Sequence, residues 1–408
     1  MTARDRPLLE ISRAVTEHAL AGTPEAEVVR EVCERLVAAG VPLRRLRLGV
    51  DTLHPLVGGH VFRWTPDVGV EVSEFAREGA GSTAAPWVNS PFHPLLTEGR
   101  ASYRFRYPPP DGHYPFPVLE ELVAEGVTDY LACVQRLGDA VKMGELDCVF
   151  SSWATDAPGG FADEDIALIE AVVPFVATTL LTSVVRQITR TLLSTYLGAD
   201  AGDRVLRGAI DRGVAERIRA VVWLSDLEGF TRIVDEHGAA RVLPLLDDCA
   251  DPQVAAIHAH GGTVLKFIGD GILAIFPVGD DAAQAGRRAL AAAGAALDAI
   301  DEVRARRTAA GLPATGAYLA LHLGEVSYGN IGGVDRLDFT VIGPAVNEAA
   351  RMSAMCRPLG QDILVSQALA DAVPGLHARL VPLGDHTLRG VARPQALYAV
   401  RRREPAAP

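Results

Sequence analysis

Two aspartates stand where apolar strands end. Asp226 follows the run AVVWLS and precedes Gly229, Phe230 and Thr231, where a helix is expected to start. Asp270 sits in the Gly269-Asp270-Gly271 turn of VLKFIGDGILAIF, residues 264–276. Taken singly, each fits a helix cap or a turn residue. Brought together from adjacent strands, the two carboxylates form an all-oxygen site suited to Mg²⁺ or Mn²⁺, because carboxylates side by side without a cation repel. Two such ions, roughly 3.5–4 Å apart, serve in-line displacement at phosphorus. The free N–H groups at Gly229, Phe230 and Thr231, in the first turn of that helix, are placed to receive phosphate oxygens.

Three more residues extend this chemistry. Of the 39 Lys+Arg residues only Lys142 and Lys266 are lysine, so a lysine inside the apolar 264–276 stretch marks a place that wants one compact ammonium rather than a planar fork. Asn347 and Arg351 lie four apart in PAVNEAAR and project from one face of an expected helix. There an amide positions a sugar or phosphate oxygen, and an arginine stabilises charge developing on a transferring phosphoryl group. On its own an i, i+4 polar pair is also what a solvated helix face looks like. His258 and His260 are two apart and face different ways on a helix; His322 alternates with apolar residues and reads as a packed strand histidine.

The elements that must position these groups fall into two modules. From Ala220 onward strands and helices alternate: AVVWLS into the GFTRIV helix, a helix over residues 239–260, the 264–276 hairpin read as buried, an Ala-rich helix over 281–309, strands AYLALHLGEV and FTVIG, a helix opened by Pro344, and a last hairpin in LGDHTLRGVARPQALYAV. The pattern predicts an α/β sandwich with one helix-covered sheet. The first module reads as α+β, with a helix over 24–40, strands at RRLRLGV, DYLACVQRL and LDCVFSSWAT, a Pro- and aromatic-rich loop, and a helix beginning at the acidic turn Asp163-Glu164-Asp165. Residues 186–217 read as a helical linker between the modules.

At 408 residues and 49% apolar content the chain supports two or three cores, and its formal net charge of −12 disfavours nucleic acid or an anionic membrane as partner. The five cysteines are scattered, without a CxxC pair. Reduced thiols and an N-terminus without a signal-like apolar core suggest a cytoplasmic setting. Residues 166–185 are long enough for a membrane span, yet they carry Glu170, Pro174 and hydroxyl residues, and are read as a core or dimer helix instead.

Ending in a helix after GGFADEDIALIE, the first module loosely resembles a GAF-type sensory domain over about residues 20–185. Such domains often bind a small ligand, which no residue here identifies; a purely structural role stays open. The second resemblance is specific. SDLEGFT, LKFIGDGILAIF, GEVSYGNIG, LDFTVIGPAVNEAAR and LRG occur in the order and near the spacing of class III adenylate/guanylate cyclases, over about residues 218–402. It implies a ferredoxin-like core with helices on a mainly antiparallel sheet, and a domain plan of 1–185 GAF-like, 186–217 linker and 218–402 cyclase. By that resemblance Asp226 and Asp270, with the Leu227 carbonyl, hold two Mg²⁺ or Mn²⁺ ions. Lys266 and Thr340 read the purine, threonine replacing the aspartate of many adenylate cyclases as in a bacterial subgroup. Asn347 and Arg351 act on the transition state, and Arg389 lies near the family's phosphate-binding lysine. Guanylate cyclases usually carry Glu at the lysine position and Cys or a small residue at its partner. The resemblance thus implies conversion of ATP to cyclic AMP and pyrophosphate at a homodimer interface. A silent cyclase-fold module, or a cyclase for another nucleotide, are the alternatives.

Overall fold

The structure, a computed structural model, describes residues 5–54, 57–76, 85–109, 112–144, 146–391 and 393–400. The remaining positions of the expected 1–185 and 218–402 domains, Pro110 and Asp111 of the Pro-rich loop among them, lie outside the described residues. The chain forms two compact units, Met1–Leu192 and Leu193–Pro408.

The first unit runs α1 (Asp5–Ala21), α2 (Glu25–Ala38), β1 (Arg45–Asp51), β2 (Val57–Thr65), β3 (Gly69–Ala76), α3 (Ala85–Val88), α4 (Phe92–Thr97), β4 (Ser102–Arg106), α5 (Pro117–Ala124), β5 (Asp129–Arg136), β6 (Cys148–Thr155) and α6 (Asp163–Leu197). Its six strands form one antiparallel sheet in the order β3-β2-β1-β6-β5-β4. Helix α6 is apolar and long enough to cross a membrane by length and composition. In the structure Leu168, Val172, Val176, Leu180 and Val184 pack in the unit's core with Ile11, Val29 and Leu36 of α1 and α2. Buried Asp129 ties the sheet to the start of α6, accepting hydrogen bonds from Arg104 Nη2 at 2.7 Å and the Phe161 N–H at 3.0 Å; a buried carboxylate needs such partners.

The second unit contains α7 (Ala199–Leu206), β7 (Ala215–Leu227), α8 (Phe230–His237), α9 (Ala239–Ala259), β8 (Thr263–Ile268), β9 (Gly271–Pro277), α10 (Ala282–Ala309), β10 (Ala317–Gly332), β11 (Leu337–Ile342), α11 (Pro344–Leu359), β12 (Ile363–Ser366), α12 (Gln367–Ala372), β13 (Leu380–His386) and β14 (Gln395–Val400). The sheet order is β13-β14-β12-β10-β7-β9-β8, with β11 paired to β10. All neighbours are antiparallel except β10 and β12. β7 lies centrally and is covered on both faces, which explains its unbroken apolar run. Val221 and Trp223 face the α9–α10 layer, whereas Ala220 and Val222 face α11 and α7.

Two expectations change. The 264–276 hairpin is only half buried: β9 is central, but β8 is the edge of the sheet, where Phe267 and Ile268 are 58% and 51% exposed. Residues 186–217 comprise the end of α6, all of α7 and the first residues of β7, and the expected boundary at 218 falls inside β7. Ala201 is fully buried, Tyr328 Oη donates to Asp200 Oδ2 at 2.7 Å, and Asn330 Nδ2 donates to the Ala209 carbonyl at 2.7 Å. These contacts fix residues 199–211 to β10 as part of the second unit's packing rather than as a free connector.

Candidate active site

The two aspartates meet. Strand β7 delivers Asp226 at its end, and the β8–β9 turn sets Asp270 beside it, the two carboxyls within hydrogen-bonding contact. The turn needs both of its glycines. Gly269 has φ +64°, and a Cβ on Gly271 would lie 2.3 Å from the Ser225 carbonyl oxygen, so the hairpin packs flush against the end of β7. Asp270 Oδ2 accepts the Leu227 N–H at 3.1 Å, which pins the turn to the strand. Thr315 Oγ1 donates to the Glu228 carbonyl at 2.6 Å, and the Glu228 N–H donates to the Gly316 carbonyl at 2.9 Å. The chain is thereby held as it enters α8. Among the described contacts, no hydrogen bond uses the backbone N–H of Gly229, Phe230 or Thr231.

The Asp226 carboxyl is raised from 3.8 to about 6, by burial first and then by the hydrogen bond and charge of Asp270. Such a pair stores unfavourable negative charge, and a divalent cation relieves it, so this donor set fits the implied metals. The raised value also fixes a sign for stability. The folded state prefers the protonated form, so this contribution is fully present below about pH 3.8 and is lost as pH rises through about 6. In chelator at pH 7.5, Asp226→Asn is expected to be more stable than wild type by on the order of 1 kcal/mol, a figure held down by solvent screening of a partly exposed group. Equal melting temperatures in EDTA would refute this.

Lys266 turns away from Asp270. Its Nζ donates to Asp338 Oδ2 at 3.2 Å, across from edge strand β8 to β11. Asp338 is a residue that sequence reasoning missed, although its spacing of two from Thr340 places both on one face of β11. Thr340 is 5% exposed, and its Oγ1 has no hydrogen-bond partner among the described residues. A buried hydroxyl left unsatisfied is costly and is the sort of group a ligand completes. Asp338 thus ties Lys266 to β11, the strand that carries Thr340.

Asn347 and Arg351 occupy exposed positions of α11, and Arg389 an exposed turn between β13 and β14. None of the three has a hydrogen bond or ion pair to Asp226, Asp270 or Lys266 among the described residues. The structure therefore assembles the carboxylates and sets Lys266 against β11, the strand of Thr340, but does not bring the α11 pair to either.

Below α11 lies His322, 6% exposed, with Nδ1 unpartnered among the described residues and Nε2 3.4 Å from Glu348 Oε2. Burial lowers its pKa from 6.5 to about 4 and outweighs the nearby carboxylate. A depressed imidazole contributes stability that is present above pH 6.5 and is lost as pH falls through about 4. Wild type is expected to lose about 2 kcal/mol more between pH 7 and pH 5 than His322→Gln. Urea unfolding at the two pH values measures it, and parallel losses would contradict the assignment.

Residues 215–401 match the family described as adenylate and guanylate cyclase catalytic domain. An uncharacterized protein of Mycobacterium tuberculosis is 31% identical over 221 residues, 54% of this chain and 38% of that protein. The adenylate cyclase of Anabaena cylindrica is 30% identical over 161 residues, 39% of this chain and 32% of its own length. Among solved structures, the adenylyl cyclase CyaB of P. aeruginosa shares 24% identity at a TM-score of 0.42, covering 47% of this chain and 97% of that one. The aligned part of this chain spans well under half the length of these two curated relatives.

Proposed function

We propose that the adenylate and guanylate cyclase catalytic domain of residues 215–401 converts ATP to 3′,5′-cyclic AMP and pyrophosphate, at a site completed by a second copy of the chain. The observation that carries this reading is the split site: Asp226 and Asp270 meet, whereas Asn347 and Arg351 stand exposed on α11 without contact to them. Exposed Phe267, Ile268 and Ile342, next to Lys266 and on the Thr340 face of β11, support a partner surface there.

Each residue then has a task. Asp226, Asp270 and the Leu227 carbonyl hold two Mg²⁺ or Mn²⁺ ions, which when bound acidify the ribose 3′-hydroxyl and neutralise the triphosphate. The N–H groups of Gly229, Phe230 and Thr231 bind phosphate oxygens at the N-terminus of α8, and Arg389 adds a cation. Lys266 donates to adenine N1, an acceptor, whereas guanine presents a donor at N1; the Thr340 hydroxyl accepts from the exocyclic amine. Asn347 orients the ribose. Arg351 stabilises negative charge on the α-phosphoryl group as the 3′-oxygen attacks in line and pyrophosphate departs.

The six-stranded first unit is read as a GAF-like regulatory domain with a small ligand of its own, in a cytoplasmic protein. Purified protein with Mn²⁺ is expected to make cyclic AMP from ATP in preference to product from GTP, CTP or UTP. Failure to cyclise any of the four would overturn the proposal.

A further inference from the structure

The hydrogen-bond ladder of β11, the strand that carries Asp338 and Thr340, runs to residues 327–332 of β10. Where β10 begins, at residues 319–321, β12 takes the edge that β11 takes further on. A strand with one ladder partner opens more easily than one flanked on both sides. The place of Thr340 therefore rests on three residues of β10. Gly329 lies directly opposite Thr340, Asn330 lies opposite Phe339, and the Tyr328 ring meets the Phe339 ring edge-on with centroids 4.8 Å apart.

Each of the three is gripped by the chain that leads into β7. Buried Tyr328 donates from Oη to Asp200 Oδ2 at 2.7 Å, while Arg204 lies 5.2 Å over its ring and donates from Nε to the same Asp200 oxygen at 3.0 Å. A Cβ on Gly329 would stand 2.2 Å from the Val214 carbonyl oxygen, so the chain passes flush against the residue opposite Thr340. Buried Asn330 is tied at three groups. Its Nδ2 donates to the Ala209 carbonyl at 2.7 Å, its N–H donates to the Val214 carbonyl at 3.2 Å, and its carbonyl accepts the Gly213 N–H at 3.1 Å. Letting go would leave buried polar groups unpaired, so the grip is firm.

We propose that residues 199–214 set the place of the base-reading strand, with Asp200, Tyr328 and Asn330 as positioning residues for nucleotide selectivity. The inference rests on the reading of Lys266 and Thr340 as the groups that meet the purine. The three act through Phe339 and the backbone at Gly329. A hydroxyl discriminates one exocyclic amine only while its oxygen is held at hydrogen-bond distance. A loosened β11 therefore loses selectivity before it loses turnover, which depends on the metal-binding carboxylates and Arg351.

The test uses the full chain with Mn²⁺ and two probes that lack the attacking hydroxyl, 3′-deoxy-ATP and 3′-deoxy-GTP, so that calorimetry reads binding without turnover. Wild type is expected to prefer the adenine probe. Tyr328→Phe, which keeps the ring stack, and Asp200→Ala are each expected to cut that preference about tenfold. Both are expected to speed hydrogen exchange of the β11 amides while those of β9 stay protected. The double variant is expected to do no more than either single change, since both remove the same bond. Asp200→Asn, which retains an acceptor, is expected to restore most of the preference, and Arg207→Ala, whose exposed side chain pairs with Asp203, is expected to leave it unchanged. An unchanged preference in Tyr328→Phe and Asp200→Ala would overturn the proposal, as would exchange rising equally in β9 and β11, the mark of a merely structural role. A wild type that binds both probes alike would remove the base assignment and the proposal with it. Failure to cyclise any nucleotide, by contrast, would sink the catalytic reading and leave the binding comparison to decide this one.

Discussion

Asp270→Ala and Arg351→Ala chains, each reduced at least about a hundredfold on its own, are expected to regain about a quarter of wild-type activity when mixed. Random exchange makes half of the dimers mixed. In each mixed dimer one site collects both defects, and the other takes its carboxylates from the Arg351→Ala chain and its arginine from the Asp270→Ala chain. The expectation rests on the separation seen in one chain, where the α11 pair reaches neither aspartate. Cyclic nucleotide formation after mixing differently tagged chains measures it, with co-purification showing that mixed dimers form. No recovery in the presence of mixed dimers would place all catalytic groups of a site on one chain.

The second large effect concerns the base. Replacing Lys266 by Glu and Thr340 by Cys together is expected to lower the ratio of kcat/KM for ATP to that for GTP by about a hundredfold or more, since a site built on hydrogen bonds rejects a base that leaves buried groups unpaired. The orphaned Thr340 Oγ1 makes the position sensitive, because its hydroxyl has no partner among the described residues to fall back on. The single change Thr340→Val, which keeps the shape, is expected to raise KM for ATP more than it lowers kcat. An unaltered nucleotide ratio in the double variant would remove both residues from base recognition.

Much of the second unit was legible because its signals are local. The apolar run before Asp226, the Gly-Asp-Gly turn and the Pro344 helix start each depend on a few neighbouring residues, and all appear where the spacing predicts. What could not be read was non-local. An apolar strand looks the same whether it is central or at an edge, so β8 was expected to be buried, although Phe267 and Ile268 face outward. Asp338 became visible only when β11 was found opposite β8. In the first unit, β2 and β3 were missed even though Asp67-Val68-Gly69 marks the turn between them. Their strands carry glycine, histidine and glutamate, which dilute the apolar alternation.

The pairing of Lys266 with Asp338 bears on how freely the ammonium can move. Both side chains are partly exposed, at 37% and 53%, and ion pairs of that kind are worth about 0–1 kcal/mol. The ammonium is thus kept extended over β11 by a counterion that releases it cheaply. Asp270, by contrast, is anchored to the Leu227 backbone. Of the two opposite charges in this hairpin, one is a fixed post and the other a loosely moored line, cast off when a better acceptor arrives and caught again when it leaves.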